Sequence, residues 1–377
     1  MKQKENPFKI EGYHGKELFC DREEETEKLI SHVKNDVNVT LFSLRRMGKT
    51  GLILHSFNEL EKNKNYKTIY VDIFATQNLT DFINQLATSI LQVFPQEKSI
   101  GKKFIELLKG FSPVFTYDQF TGLPEVTLTY ASEQQQQYSI KGLFSFLEQQ
   151  KQKVVIAIDE FQQIAQYPEK NVEAILRTII QNLKNTNFIF SGSHKHLLFE
   201  MFNSTKRPFF GSTTPLYLGR IPKKKYSSFI KRLFKSSDKK IDNESILFIL
   251  EWTKRHTYYT QALCNKVFQF SEAEININTV YNACDIILTE LEMMYFQYRD
   301  LLTKSQWKLL NAIAKEDIVN QPTSAKFIGK YSLGNPASVR RSLLALIDKE
   351  MIIKEKNIEG DNYYQVYNCF LSRWLAR

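Results

Sequence analysis

The eight residues Ser43-Leu44-Arg45-Arg46-Met47-Gly48-Lys49-Thr50 constrain what this chain can fold into more than any other stretch. They follow a β-branched and aromatic run at 37–42 and lead into the apolar Gly51-Leu52-Ile53-Leu54. That order is strand, glycine-containing loop, helix, the arrangement of a phosphate-binding loop. Backbone N–H groups of such a loop, and the positive end of the helix after it, face an anion. Lys49 is placed to reach the terminal phosphates and the Thr50 hydroxyl to ligate Mg²⁺. One position departs from the pattern GxxxxGK[ST]: its first glycine is Ser43. Glycine serves there by entering positive φ, and serine, although small enough for a turn, weakens that reason. Ser43, Arg45, Arg46, Met47, Gly48, Lys49, Thr50 and Gly51 form the candidate nucleotide-binding segment.

Downstream, Val154-Val155-Ile156-Ala157-Ile158-Asp159-Glu160 is an unbroken apolar run closed by two carboxylates. A run without alternation suits a parallel strand buried on both faces. Asp159 at its end is the candidate metal-holding acid, and Glu160 the candidate base for an attacking water. Alone, the pair also reads as a surface Asp-Glu capping a helix from Phe161. Joined to the phosphate loop it predicts a P-loop NTPase. Triphosphate would be gripped between loop amides and a metal-holding carboxylate at adjacent strand tips. The loop motif by itself does not separate ATP from GTP.

Between and after these anchors, strands alternate with helices, which implies a parallel, doubly wound sheet. Helices are expected at 50–60, 78–93, 140–147 and 172–183, and strands at 67–73, 187–193 and 215–218. Pro113, Gly122 and Pro124 punctuate 112–130 as a β-hairpin insertion, and the polar tract 134–137 reads as a loop or helix start. Ser191, Ser193 and His194 close another buried strand, where ligands of such sheets bind. They could reach the γ-phosphate or its water, or cap the following helix. Arg207 is a candidate arginine finger, in trans if subunits assemble, although a lone loop arginine is more often a surface charge. Residues 21–25 read as a helix N-cap with an acidic first turn.

The pattern from 243 to 302 is helical throughout. After 303 come three helices and two strands around Gly360-Asp361-Asn362, which describes a winged helix-turn-helix. In a DNA-bound form its third helix would enter the major groove, with Asn335, Ser338, Arg340 and Arg341 on its polar side. Residues 296–377 carry thirteen Lys/Arg and eight Asp/Glu, a net +5 that permits phosphate contacts. Yet Asp348, Glu350, Glu355, Glu359 and Asp361 crowd the end of that helix and the wing, and winged helices also dock proteins.

The whole chain has a net charge of +10, which allows a polyanionic partner. Lys223-Lys224-Lys225, Lys231-Arg232, Lys235 and Lys239-Lys240 make a dense basic stretch, whose plainer reading is a solvated helix face. No apolar run approaches the roughly 20 residues that a membrane-spanning helix needs. The N-terminus runs on in polar sequence without the apolar core of a secretory signal. Cys20, Cys264, Cys284 and Cys369 lie far apart with no CxxC pair, which suits reduced, buried thiols in a cytoplasmic protein.

These segments together resemble the archaeal-type AAA+ ATPases of the MNS branch of STAND NTPases. The resemblance rests on Asn6-Pro7-Phe8, Phe19-Cys20-Asp21-Arg22-Glu23, Arg45-Arg46-Met47-Gly48-Lys49-Thr50, Ile158-Asp159-Glu160-Phe161-Gln162, Phe190-Ser191-Gly192-Ser193 and Tyr258-Tyr259-Thr260-Gln261. Members usually carry Gly-Pro or His-Pro before the Tyr-Thr-Gln run, whereas here Thr257 follows His256. In that family the segment matching 19–23 lies close to the adenine, which implies ATP.

The expected architecture is an α/β fold. A P-loop AAA+ parallel sheet sandwiched by helices (1–220) is followed by a helical lid (221–302) and a C-terminal winged helix-turn-helix (303–377). The expected function is that of a Mg²⁺-dependent ATPase, acting as a nucleotide-driven switch or DNA-associated motor, possible as a homo-oligomer. Hydrolysis would use Glu160, Lys49 and Arg207, with Mg²⁺ on Thr50 and Asp159 and Ser193 near the γ-phosphate. One alternative is an ATP-binding regulator with negligible turnover that signals through protein contacts of the winged helix. Another is an ATPase serving a nuclease or defence effector on a partner protein, since this chain carries no PD-(D/E)xK constellation.

Overall fold

The computed structural model describes residues 5–94, 99–356 and 360–377. The first four residues of the polar N-terminus and Glu359 of the wing lie outside them. The chain divides into two compact units, Glu11–Arg220 and Met1–Ile10 with Ile221–Arg377.

The first unit holds the central sheet, formed by β1 (Val39–Phe42), β2 (Tyr66–Asp72), β5 (Lys153–Asp159), β6 (Thr186–Ser191) and β7 (Thr214–Tyr217), with β3 (Val114–Tyr117) and β4 (Pro124–Thr127) as a separate hairpin. Its helices are α1 (Glu23–Lys34), α2 (Lys49–Glu61), α3 (Leu79–Val93), α4 (Ser99–Lys109), α5 (Glu133–Glu148), α6 (Val172–Ile180) and α7 (Lys195–Asn203). The five sheet strands run parallel in the order β2-β5-β6-β1-β7. Side chains alternate across a strand, so one apolar run serves two layers. Val154, Ile156 and Ile158 of β5 pack into the layer built by α3, α5 and α6, while Val155 and Ala157 pack with α1 and α2. Phe188 and Phe190 of β6 join the first layer and Ile189 the second. This double burial is why β5 and β6 read as continuous apolar runs.

Several expectations are corrected. The strands leading to the phosphate loop and to Asp159 are not neighbours: β6 lies between β1 and β5. Residues 21–25 carry no side-chain cap, because the N-cap position of α1 is Arg22 in the left-handed region (φ 75°), ion-paired to Glu25 at 2.9 Å. Of the two readings of the polar tract 134–137, loop or helix start, the second holds: it lies within the first turns of α5, whose cap is Ser132 accepting from Gln135 N–H. Helix α6 ends at Ile180 rather than 183. The hairpin insertion is present, its turn closed by Asp118 Oδ1, which accepts from Phe120 N–H, Thr121 N–H and the Thr121 hydroxyl.

The second unit contains α8 (Lys223–Ser236), β8 (Lys240–Ile241), α9 (Asn243–Trp252), α10 (Thr257–Phe270), β9 (Glu274–Ile275) and α11 (Ile277–Asp300). The stretch expected to be wholly helical is therefore interrupted: β9 pairs in parallel with β8. Next come α12 (Lys304–Glu316), α13 (Ala325–Tyr331), α14 (Pro336–Asp348), the antiparallel pair β10 (Ile352–Lys356) and β11 (Asn362–Val366), and α15 (Cys369–Leu375), which the sequence reading did not include. Thr303 and Gln306 form a capping box on α12, and Asn335 caps α14 ahead of Pro336. Within this unit α15 holds the C-terminal helices against α9 and α11, with Arg373 Nε donating to Trp252 O (3.0 Å) and Trp374 Nε1 to Glu292 (3.1 Å). The four cysteines are buried, and none is in a disulfide among the described residues. No helix among the described residues is long and apolar enough to cross a membrane.

The N-terminal segment belongs to this second unit. Phe8 is fully buried, its ring 4.6 Å from Phe234 and 6.4 Å from Phe268. Asn6 Nδ2 donates to Asn265 O and Asn265 Nδ2 to Phe8 O. Phe8→Ala should therefore cost about 3–5 kcal/mol of this unit's stability. Urea unfolding followed by tryptophan emission measures it cleanly, since Trp252, Trp307 and Trp374, the chain's 3 tryptophans, all lie in this unit. An unchanged midpoint would mean that the segment is not held as described.

Candidate nucleotide site

The phosphate loop is shaped by two residues in the left-handed region, Arg46 (φ 60°) and Gly48 (φ 95°). Ser43 is not among the residues with positive φ. The glycine it replaces is therefore not needed for backbone freedom here; Ser43 is buried and its hydroxyl donates to Leu44 O. Gly48 is the N-cap of α2 and offers no side chain, so the first N–H groups of the helix stay available to an anion. Met47 is 2% exposed and packs with Leu52 and Ile53. Its side chain is thus core, and only its backbone belongs to the loop. Arg45 and Arg46 are exposed.

Lys49 is 7% exposed. Burial depresses its pKa, with Asp159 and Glu160 pulling back upward and Arg45 adding to the depression. The Thr50 hydroxyl donates to Asp159 Oδ2 at 3.0 Å. Asp159 is held from three more sides: Tyr70 OH donates to Oδ2 (2.7 Å), while Ser191 Oγ (2.6 Å) and Glu160 N–H (3.0 Å) donate to Oδ1. Burial first, then the neighbouring carboxylate, push the Tyr70 phenol far above its ordinary pKa, so it remains a donor.

Glu160 sits at φ 57°, an uncommon conformation for a side chain of its size. Its Oε2 accepts from Ser193 N–H (3.0 Å), the Ser193 hydroxyl (2.7 Å) and Gln162 Nε2 (2.6 Å). Gly192 makes room for this set, because a Cβ there would lie 1.9 Å from Gln162 Oε1. Ser191 and Ser193 thus hold the two acids and do not cap α7, whose N-cap His194 makes no side-chain cap bond.

The structure therefore gathers Lys49, Thr50, Asp159, Glu160, Ser191 and Ser193. Arg207 is outside this group: it pairs with Glu173 on α6 (3.0 Å) and approaches Glu200 on α7 (3.8 Å). Burial raises the Glu173 pKa, and Arg207 opposes that rise. Sequence reasoning missed Tyr70, Gln162 and Asp72. Asp72 is the register partner of Asp159 across β2 and β5, and burial raises its pKa, with Asp159 and Glu160 adding to the rise. Tyr70 and Asp72 reach Asp159 through the register of β2 on β5, for which the sequence of β2 alone carries no signal.

At the other end of the loop, Phe19 covers Gly51, whose added Cβ would lie 3.3 Å from the Phe19 ring. Phe19 stacks on His55 (4.6 Å, 24°), and Tyr13 OH bonds His55 Nδ1 at 2.8 Å. Burial holds His55 below the usual imidazole pKa.

A family described as an ATPase domain predominantly from Archaea matches residues 19–262, and one described as a probable winged helix domain matches residues 293–377. No curated protein matches the chain. Among solved structures, the Walker-type ATPase paby2304 of Pyrococcus abyssi is similar at 18% identity and TM-score 0.68, covering 98% of this chain and 100% of that one. The Aeropyrum pernix ORC2 protein, in its ADPNP-ADP complexes, is similar at 13% identity and TM-score 0.62, covering 98% and 95%. The Aeropyrum pernix ORC1 protein in complex with DNA follows at 13% identity and TM-score 0.50, covering 96% and 93%. At these identities the likeness concerns the fold. The family match spans most of the chain and contains both the phosphate loop and Asp159-Glu160: the chain belongs to the archaeal-type ATPase family and carries a C-terminal winged helix domain.

Proposed function

We propose that this chain binds and hydrolyses ATP with Mg²⁺ and acts as a nucleotide-driven switch of the MNS branch of STAND NTPases. Residues 221–302 would serve as its lid and 303–377 as a DNA-associated winged helix. The single observation that carries this reading is the 3.0 Å bond from Thr50 Oγ1 to Asp159 Oδ2, with Glu160 next in the chain. Two hard oxygen donors so close suit Mg²⁺, which takes few protein ligands and fills its remaining positions with water and phosphate. Thr50 and Asp159 would hold it, and it would neutralise charge on the phosphates.

The chain's own groups do the rest. Loop amides from Arg45 to Thr50 and the buried Lys49 ammonium grip the phosphates. Glu160 receives the proton of the attacking water on Oε1, since Oε2 is occupied by Ser193 and Gln162. Tyr70 and Ser191 keep Asp159 turned toward Thr50. Arg207 could act on a neighbouring copy only by leaving Glu173.

DNA association draws support from the winged helix match, from Arg340 and Arg341 on the exposed side of α14, and from the DNA held by the similarly folded Aeropyrum pernix ORC1 protein. Asn335 is less available than its position suggests, because its Oδ1 accepts from Ser338 N–H in the cap. A cytoplasmic setting fits four buried cysteines that form no disulfide among the described residues. The alternative, a regulator with negligible turnover, is favoured by one observation: Arg207, the candidate for neutralising transition-state charge, is already paired. Phosphate release with Mg²⁺ and ATP, against the same assay in EDTA, separates them. Release that requires the metal is expected; release no higher than the blank would leave the regulator.

A further inference from the structure

We propose that the exposed face of α8 is a second surface for the phosphate backbone of double-stranded DNA, separate from the winged helix. Residues 223–240 hold eight Lys/Arg and one acid, Asp238, so this short stretch carries a net +7 of the chain's +10. Helical spacing sorts these charges. Lys224, Lys231 and Lys235 fall on one face, with Lys225 and Arg232 flanking it, and all five are exposed. The opposite face, Tyr226, Phe229, Ile230, Leu233 and Phe234, is 0–6% exposed.

Two features set this stripe apart from an ordinary solvated face. Solvated helices intersperse both signs and gain from acid-base pairs four residues apart, whereas α8 contains no acid and sets Lys235, four residues on, beside Lys231. The helix also begins with Lys223, Lys224 and Lys225 and has no acidic residue in its first turn, so three cations stand at the positive end of the macrodipole. Both arrangements weaken the helix, and none of the ion pairs among the described residues relieves Lys223, Lys224, Lys231 or Lys235. Local rules broken without a structural gain are the mark of a surface shaped for a ligand. An anion would relieve both at once.

The chemistry narrows the anion. Lys224 and Lys235 are separated by about 16 Å along the axis at 1.5 Å per residue. A duplex presents a charge every 1.7 Å or so over such a length, more phosphates than the stripe has cations. Insertion into a membrane surface would need an apolar face free to enter the lipid, without which only the electrostatic attraction of the cations remains. Here that face is buried under the unit's own core. The inference does not depend on ATP binding or on α14.

The test measures binding of a labelled random-sequence duplex by anisotropy across about 50–200 mM salt. The variant Lys224→Gln/Lys231→Gln/Lys235→Gln should bind about tenfold more weakly at low salt, and its slope of log K against log salt should shrink by about 2–3. Its melting temperature should equal or exceed that of wild type, because like-charge repulsion is removed. The corresponding triple arginine variant should keep both affinity and slope. The variant Arg340→Ala/Arg341→Ala, which probes α14, should retain the contribution of α8. An unchanged affinity and slope in the glutamine variant would overturn the proposal. So would a loss in the arginine variant equal to that in the glutamine one, or wild type binding phosphatidylserine vesicles but no duplex.

Discussion

Glu160→Gln is expected to lower the rate of phosphate release by about 10²–10⁴-fold, the usual contribution of a positioned general base. ATP affinity should stay within about twofold, since the lost group acts only once the reaction is under way. The geometry predicts this separation. Three donors, two from Ser193 and one from Gln162, converge on Glu160 Oε2. A glutamine is expected to place its carbonyl oxygen there, because the Ser193 backbone N–H can only donate and an amide –NH₂ facing it would leave that bond unmade. The –NH₂ then occupies the position of Oε1 and cannot take a proton. Side-chain volume and backbone strain stay as they were, and so does the fit of Gln162 over Gly192, so the variant should fold like wild type. Steady-state phosphate release and equilibrium ATP binding, measured on one preparation, check both halves. Equal rates in variant and wild type would remove Glu160 as the base and leave the regulatory reading.

How far the site was legible in the sequence depends on which interactions set it. Lys49, Thr50, Asp159 and Glu160 were legible because each closes or opens an element whose period is visible: a buried strand running into acids, a loop running into a helix. The layers were legible for the same reason, since Val154 to Ile158 can be wholly apolar only if both faces are covered. Neighbour relations across the sheet were not. The interposition of β6 between β1 and β5 is a property of topology, and it gives Ser191 access to Asp159 and Ser193 access to Glu160. Tyr70 and Asp72 depend on register, which no local pattern encodes. Gln162 and Gly192 form a matched pair only because two chain segments approach within a methyl group's width. Phe8 is the clearest case: it lies far in sequence from Phe234 and Phe268, so only tertiary packing reveals what it does. Arg22 shows the converse, a sequence that reads as a capped helix start but enters the left-handed region and pairs with Glu25 instead.

The largest effect on binding is expected at Lys49. Its ammonium is buried, and the leading influence on it is desolvation, which the nearby Asp159 and Glu160 offset only in part. The cation is thus held at a cost in the nucleotide-free protein, a cost that bound phosphates would relieve. Lys49→Met keeps the length and apolar stem of the side chain and removes the charge. ATP affinity should fall by about 100-fold or more, equivalent to about 3 kcal/mol for charge-assisted bonds to phosphate. The nucleotide-free variant should nevertheless melt higher than wild type, by a few degrees. The pH dependence follows in sign. The Lys49 pKa is lowered in the folded state, so between that value and its ordinary 10.5 the unfolded chain binds more protons than the native one. Wild type should therefore gain stability relative to the variant as pH rises through this window, and the burial cost should be fully present below it. Calorimetry of the nucleotide-free proteins is the suitable measurement, because the unit that contains Lys49 has no tryptophan. Saturating ATP, at about 100 times its Kd, should add about 2.7 kcal/mol to wild type and almost nothing to the variant. If the variant melts lower without nucleotide yet binds ATP like wild type, Lys49 is a structural cation paired to Asp159, and the loop around it does not grip phosphate through this side chain.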